Sequence, residues 1–239
     1  MSKILSVIIP VYSDDEGLMS TLNSLKKNSL DESKYEILIE HDENQKGSYY
    51  ARNRAIEKSK GNYLAFIDAG TIASENWLSE GLNSLKKYDY VGGVVNLFEK
   101  EEKRVPKFLL SYEKEKEFPV KEFFELYHFF PTTNLFVNRE VFDKLGYFDE
   151  RLKSSGDLEF GDRVFESKKF SQSFNRNLKV FHPARNLKEM ISKQVRLAKG
   201  FVDLKKYHPK RFKGVSGNFV INLTKALIGF ILYVSFRAR

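Results

Sequence analysis

In FIDAGTIASENWL, residues Phe66–Leu78, an apolar run reaches an acid and a turn follows at once. The apolar residues before Asp68 predict a buried strand, and Ala69 and Gly70 predict a turn directly after it. The segment therefore predicts that one carboxylate, that of Asp68, lies at the carboxyl end of a strand.

Strand-type and helix-type segments alternate around this stretch. Apolar runs predict strands over residues 4–10, 35–40, 63–67 and 90–98. Helical spacing predicts helices that open at Asp14–Glu16 and that span residues 48–60 and 74–87. This alternation is typical of βαβ units, so the sequence predicts an α/β fold with a mainly parallel sheet flanked by helices. Ligands bind such sheets at the carboxyl ends of the strands.

The later part of the chain is less regular. Residues 100–125 predict irregular helix near a surface, and residues 131–138 and 178–181 predict short strands. Further helices are predicted over residues 139–145, 157–169, 187–207 and 219–236. We therefore expect one domain over residues 1–185, with halves at about 1–98 and 99–185, and a helical extension over residues 186–239.

Composition restricts the chemistry and suggests a partner. The 239 residues include no Cys, which excludes disulfides, zinc–thiolate sites and iron–sulfur clusters and suits a reducing cytoplasm. The segment from Arg176 onward holds fifteen Lys or Arg and two acids, a formal charge of +13, which leaves −5 for the residues before it. Such a tail is expected to meet an anionic surface, namely a membrane, a nucleic acid or a phosphorylated substrate.

Five segments in order resemble a family 2 glycosyltransferase of the GT-A fold. They are SVIIPVYS at residues 6–13, YYARNRAI at 49–56, YLAFIDAG at 63–70, TTNLFVNREVFDKLGYFDERL at 132–152 and SGDLEFGDRV at 155–164. The resemblance runs from Ser6 to about Gly200. It implies an enzyme that moves a sugar from a nucleoside-diphosphate sugar, here a UDP-sugar, to a hydroxyl of a glycan or lipid-linked glycan.

The resemblance also implies a divalent metal, Mn or Mg, at the diphosphate. Asp68 matches the first acid of the family's Asp-x-Asp signature, but Gly70 stands where the second acid belongs. His182, in LKVFHPAR, matches a family histidine that reaches the metal, and imidazole suits a transition metal. The alternatives are a turn-initiating Asp68, a structural His182, and a catalytically impaired domain that serves as a binding or scaffold subunit.

For the donor, the resemblance implies a nucleotide-sugar site formed with Asp68 by five more residues, namely Pro10, Tyr12, Asp42, Arg52 and Asn53. Asp42 is the candidate that reads the base, with His41 as the alternative. Arg52 offers a planar fork that suits a diphosphate or the edge of a base. The alternatives are a solvated acidic loop for Asp42 and an exposed helix face for Arg52 and Asn53.

On the acceptor side, the resemblance assigns the general base to Asp157. An inverting transfer needs a carboxylate that takes the proton of the acceptor hydroxyl. Glu159 and Asn134 are assigned to the same side. Ser154-x-x-Asp157 also matches a capping box, which would explain Asp157 without catalysis.

The C-terminal segment, residues 219–236, is apolar and flanked by basic residues. Its eighteen residues are marginal for a spanning helix, so we expect an interfacial anchor on an anionic membrane surface. The expected location is the cytoplasm, peripheral on the inner face of the plasma membrane. The alternative is a helix packed on protein. Nucleic acid is disfavoured because the sequence has no pattern typical of a nucleic-acid-binding module.

Overall fold

The first strand of the chain is buried on both faces, which explains its continuous apolar run. In the computed structural model, which describes residues 4–100 and 105–237, this strand is β1, Leu5–Val11. It pairs in parallel with β2, Tyr35–His41, on one side and with β3, Tyr63–Phe66, on the other. The helix after β1 begins where the Asp14 side chain accepts a hydrogen bond from the Gly17 amide.

The first part of the chain alternates strand and helix as the sequence predicts. Its elements are β1 (Leu5–Val11), α1 (Asp15–Lys26), β2 (Tyr35–His41), α2 (Ser48–Lys58), β3 (Tyr63–Phe66), β4 (Ile72–Ala73), α3 (Trp77–Leu85) and β5 (Tyr90–Phe98). The later elements are α4 (Lys107–Tyr112), α5 (Val120–Tyr127), β6 (Leu135–Asn138), α6 (Arg139–Leu145), α7 (Gly156–Ser167), β7 (Gln172–Pro183), α8 (Leu187–Tyr207) and α9 (Phe219–Arg237).

The strands form one mixed sheet in the order β2-β1-β3-β6-β5-β7-β4. The parallel pairing predicted from the alternating pattern holds for β1, β2 and β3. By contrast, β6 runs antiparallel to both β3 and β5, and β4 pairs antiparallel with β7 through Ile72 and Phe181. The predicted α/β class is confirmed, and the antiparallel pairs lie on the side of the sheet that the later segments build.

Three differences from the predicted elements have local causes. Strand β4 has only two residues, too few to show a period. Strand β7 spans Gln172–Pro183, whereas the sequence predicted only residues 178–181. Its first half holds polar and exposed positions, which give no apolar run. The irregular helix predicted over 100–125 is α4, a π-helical turn at Glu113–Glu117 and the start of α5, while residues 101–104 lie outside the described residues.

Helix α3 packs directly on the sheet through a glycine. A Cβ atom built on Gly81 would lie 2.1 Å from Cε1 of Phe136 in β6, so any larger residue would collide with that ring. Beside it, the Trp77 indole meets the same ring edge-on, with centroids 4.7 Å apart. Both side chains are fully buried. This contact fixes α3 against the strand that follows Asn134.

The chain divides into two compact units. The first comprises residues up to 96 together with 120–150 and 157–182, and it contains most of the sheet. The second comprises residues 97–119, 151–156 and 183–239. This division differs from the predicted one, because residues 97–119, expected in the acceptor half, cluster with the C-terminal helices.

The second unit has a core of its own. Val105, Leu109 and Tyr112 pack with Ala184 and Met190.

A buried ion pair adds to this core. The Glu113 carboxylate is fully buried and pairs with the Arg185 guanidinium, and it also accepts a hydrogen bond from the Arg185 amide at 2.8 Å.

Candidate active site

The turn after β3 positions Asp68 and requires a glycine. The Asp68 carbonyl accepts a hydrogen bond from the Thr71 amide at 3.1 Å, and the Thr21 hydroxyl of α1 donates to the Thr71 carbonyl at 2.8 Å. Between them, Gly70 has φ +85°, in the left-handed region that costs other L-residues free energy. This backbone conformation therefore explains the glycine at position 70, and an aspartate there would be strained.

Asp68 forms an ion pair with an arginine that is almost completely buried. Arg52 Nη2 of α2 donates to Asp68 Oδ1 at 2.5 Å, and the two side chains are 4% and 36% exposed. Arg52 Nε is buried and has no hydrogen-bond partner among the described residues. The structure thus brings together two residues that the sequence assigned to the donor site, through a direct contact that the sequence did not predict.

These residues do not fit the metal site that the family signature implies. One oxygen of Asp68 is already bound by a cation, and Gly70 supplies no carboxylate. His182 lies in β7 next to Phe181, which pairs with Ile72 of β4. Within residues 4–100 and 105–237, no group of three or more His, Asp or Glu is arranged to hold a metal ion. We therefore derive no chemical step from a metal.

Asp157 lies in the first turn of α7 and is held by a tyrosine from α2. The Tyr49 hydroxyl donates to Asp157 Oδ1 at 3.2 Å and accepts from the Asp157 amide at 3.2 Å. The same Oδ1 accepts from the Leu158 amide at 3.0 Å. The backbone amide of Asp157 thus donates to the Tyr49 hydroxyl, whereas in the capping-box alternative it would donate to the Ser154 side chain.

The environment of Asp157 favours its protonated form. Burial raises the pKa of the Asp157 carboxyl above its ordinary value. The Leu158 amide, the Arg52 charge and the Tyr49 hydroxyl each oppose this by lowering the pKa, but burial outweighs them. A carboxyl with a raised pKa holds a proton more strongly than an ordinary aspartate, which suits a group that accepts a proton and later releases it.

Asp42 organises the loop between β2 and α2. Its Oδ1 accepts from the Lys46 amide and its Oδ2 accepts from the Gly47 amide, both at 2.7 Å. Both oxygens of this buried carboxylate therefore hold backbone next to the start of α2. The predicted contact with a base stays a prediction, and the structure adds a role in shaping the loop.

The remaining donor-side candidates differ in exposure. Pro10 is half-buried in β1, opposite Glu40 of β2. Tyr12 is 58% exposed just after the strand, and His41, the alternative to Asp42, is also exposed at the end of β2. Tyr12 and His41 thus lie at the carboxyl ends of two paired strands, where parallel sheets bind ligands.

Asn53, whose predicted nucleotide contact stays a prediction, also has a structural role. It is 2% exposed, and its amide nitrogen donates to the Phe148 carbonyl and to Glu150 Oε1, both at 2.9 Å. Its oxygen accepts from the Phe148 amide at 3.1 Å. The side chain is fully used to fasten α2 to the loop after α6.

Asn134, whose predicted acceptor-side contact stays a prediction, has a structural role too. This side chain is fully buried. Its oxygen accepts from Trp77 Nε1 at 2.8 Å, and its nitrogen donates to the carbonyls of Val94 at 3.0 Å and Leu178 at 3.1 Å. Asn134 therefore joins α3, β5 and β7.

Glu159, whose predicted acceptor-side role stays a prediction, is internal and forms an ion pair within α7. It is 1% exposed and accepts two hydrogen bonds from Arg163, at 3.2 Å and 2.8 Å. Arg163 in turn donates to the carbonyls of Leu145, Gly146 and Tyr147. The pair fixes α7 to the end of α6, so its charge is used within the fold.

Tyr49, the residue that contacts the candidate base, was not predicted from the sequence. A signal was present, because Tyr49 and Arg52 are three residues apart and such residues share one face of a helix. The Arg52 guanidinium lies 5.5 Å from the centre of the Tyr49 ring. Asp68, Arg52, Tyr49 and Asp157 thus form one connected group that offers a cation and a carboxyl base.

Solved structures with this fold bind nucleotides and nucleotide-sugars. The mannosyltransferase PcManGT from Pyrobaculum calidifontis, in complex with GDP-Man and Mn²⁺, superposes with a TM-score of 0.63 at 13% identity and covers 100% of this chain and 76% of its own. S. aureus TarS 1–349 in complex with UDP-GlcNAc gives 0.58 at 15% identity, over 97% and 81%. In the TarS 1–349 complex with UDP, this chain spans 65% of that chain's length. The fold is the GT-A fold of nucleotide-sugar glycosyltransferases.

Sequence comparison gives the family directly. The model for glycosyl transferase family 2 matches residues 37–146. The glycosyltransferase AglE of Haloferax volcanii is 30% identical over 229 residues, which cover 83% of this chain and 73% of AglE. The chain belongs to glycosyltransferase family 2.

Proposed function

We propose that this protein is an inverting glycosyltransferase that moves a sugar from a nucleoside-diphosphate sugar to a hydroxyl of a glycan or lipid-linked glycan. The observation that carries the proposal is the connected group Asp68–Arg52–Tyr49–Asp157, which offers a buried cation and a carboxyl of raised pKa within one unit. A UDP-sugar is the donor proposed first, since TarS is solved with UDP and with UDP-GlcNAc. A GDP-sugar is the second candidate donor, since PcManGT is solved with GDP-Man.

The chemical step assigned to these residues is a single displacement. Asp157 takes the proton of the acceptor hydroxyl, whose oxygen forms a bond to the anomeric carbon of the sugar. The bond between that carbon and the diphosphate oxygen breaks on the opposite side, so the configuration inverts and the nucleoside diphosphate leaves. The Arg52 guanidinium provides positive charge at the donor end of the connected group.

Replacing Asp157 by Asn tests the proposal. The amide cannot take a proton, so kcat for sugar transfer should fall about 100-fold or more. The affinity for UDP or GDP, measured by calorimetry, should stay unchanged because the assigned role is on the acceptor side. Product configuration read by NMR checks the inversion. The matched control is Asp143→Asn, an exposed aspartate of α6, which should transfer sugar like the unaltered protein. If Asp157→Asn retains kcat, the proposed base is wrong.

Gly70 supports a second candidate, a glycosyltransferase-like subunit that binds partners without catalysis. The missing second acid is the specific observation in its favour. Calorimetry separates the two candidates, because an active enzyme must bind some nucleoside diphosphate. Titrations with UDP and GDP, on protein stripped of metal and again with Mn²⁺ or Mg²⁺ added, also test the predicted metal. Absence of binding under every condition by folded protein would favour the scaffold.

We further propose that the C-terminal helices contact an anionic membrane surface, which would bring the site to a lipid-linked acceptor. Several apolar side chains of the second unit are exposed, among them Val220 and Ile221 of α9 at 66% and 46% and Leu187 of α8 at 45%. These lie in the segment of formal charge +13. No helix in the part of the chain that the structure describes is long and apolar enough to cross a membrane.

A further inference from the structure

Tyr49 makes two contacts with one residue that is distant in sequence. Its hydroxyl meets both the Oδ1 atom and the backbone amide of Asp157, 108 positions along the chain. Tyr49 is 6% exposed, and its ring packs against Phe148 with centroids 5.6 Å apart. Because the ring is held by packing, the hydroxyl is fixed where it meets the carboxylate.

The Tyr49 ring also contacts the donor-side cation. The Arg52 guanidinium lies 5.5 Å from the ring centre, and Arg52 is itself held by Asp68. A contact of this kind is attractive because the aromatic face is electron-rich. The order Asp68, Arg52, Tyr49, Asp157 therefore leads from the end of β3 to the first turn of α7 through direct contacts.

We propose that Tyr49 is a positioning residue for the general base: it fixes the orientation of the Asp157 carboxylate and couples it to the Arg52–Asp68 pair. This inference rests on the proposed function, in which Asp157 takes the acceptor proton. The described hydrogen bonds of the carboxylate all reach Oδ1, from Tyr49 and Leu158. Oδ2 is then the oxygen that accepts the proton of the acceptor.

The contact also sets the pH at which the base is charged. A hydroxyl that donates to a carboxylate stabilises the charged form, so its loss raises the pKa of Asp157 further. Three other groups face this carboxyl: the Leu158 amide and the Arg52 charge, which lower its pKa, and the buried phenol of Tyr90, which stays neutral because burial raises its own pKa. A base of higher pKa is charged only at higher pH, so the acidic limb of the kcat profile should move to higher pH.

Tyr49→Phe removes only this hydroxyl and tests the inference. NMR of protein labelled with ¹³C in the Asp carboxyls, assigned with Asp157→Asn, measures the pKa of Asp157 without donor or acceptor. We expect the variant to raise it by about one unit, roughly tenfold in proton affinity. The kcat profile should shift by the same amount while UDP affinity stays constant. The control is Tyr50→Phe. The Tyr50 hydroxyl accepts from Lys46 instead, so its loss should leave the pKa of Asp157 unchanged.

A second measurement needs no variant that could misfold. In the unaltered protein, the ¹³Cζ resonance of Tyr49 should titrate with the pKa of Asp157, and it should lose this step in Asp157→Asn. An unchanged pKa of Asp157 in folded Tyr49→Phe, or a Tyr49 resonance insensitive to Asp157, would overturn the inference and leave Tyr49 a packing residue. Both titrations are read without turnover, so failure of the proposed function would appear separately, as an absence of transfer.

Discussion

The ion pair between Arg52 and Asp68 changes what a substitution at either position measures. Arg52 is almost fully buried, and Asp68 is the carboxylate that its guanidinium contacts. Removing one partner of a buried pair leaves an uncompensated charge, which is costly. A loss of donor binding in Asp68→Ala would therefore report this charge as well as any ligand that Asp68 holds.

We predict that Asp68→Ala lowers the free energy of unfolding of metal-stripped protein by roughly 1–3 kcal/mol, because Arg52 loses its carboxylate; the range is reduced for the partial exposure of Asp68. Urea unfolding in EDTA measures the change. Asp143→Ala, which removes an exposed carboxylate, should change it by less than about 0.5 kcal/mol. Equal stability of the two variants would instead favour the sequence-based role of Asp68 as a metal ligand that is idle without its ion.

Residue types explain which site members could be predicted. Asp68 could be predicted locally, as an acid at a strand end, whereas Arg52 and Asp157 were assigned because their short motifs resemble those of the family. Asn53 bonds Phe148, 95 positions away, and Asn134 bonds Trp77, 57 positions away. No local sequence pattern contains that information. The contact of Tyr49 with Asp157 was missed for the same reason.

At the scale of elements, Asn134 shows how the antiparallel strands are joined. It precedes β6 and bonds the indole of Trp77 in α3 and the carbonyls of Val94 in β5 and Leu178 in β7. The parallel strands β1–β3 could be predicted because burial on both faces gives them continuous apolar runs. Asn134 also joins β7, whose full length could not be predicted because its first half is polar.

We predict that Asn134→Ala lowers the free energy of unfolding by about 2–4 kcal/mol, because it leaves a buried indole N–H and two carbonyls without their partner. Thermal and urea unfolding measure the loss. Asn83→Ala, at an exposed position of α3, should cost less than about 0.5 kcal/mol. Unchanged stability of Asn134→Ala together with a raised KM for the acceptor would instead support the acceptor-side role that the resemblance implied.

At the scale of the whole molecule, charge is divided along the chain. The formal charge is −5 before Arg176 and +13 from Arg176 onward. Most of the positive segment belongs to the second unit, whose core is held by Glu113 and Arg185 as well as by apolar contacts. Basic side chains next to exposed apolar ones are what an interfacial helix uses to bind anionic lipid.

We predict that the protein binds vesicles that contain anionic lipid and leaves neutral vesicles in solution. Co-sedimentation with phosphatidylglycerol–phosphatidylcholine vesicles should fall as salt rises, since screening weakens attraction to the surface. Ile221→Glu replaces an exposed apolar side chain of α9 by an acid and should reduce binding several-fold. Leu126→Glu makes the same change at a 67% exposed position of α5 and should bind like the unaltered protein.

Each pattern of results assigns a different role to α9. Loss of binding in Ile221→Glu alone supports the membrane surface, because only a contact through α9 distinguishes the two variants. Salt-sensitive binding that both variants retain would show attraction by charge without insertion of α9. Absence of binding, together with a lower unfolding temperature or a changed oligomeric state in Ile221→Glu, would favour the alternative in which this helix packs on protein. Since transfer to a lipid-linked acceptor takes place at a membrane, the first result would also direct the acceptor screen to lipid-linked glycans.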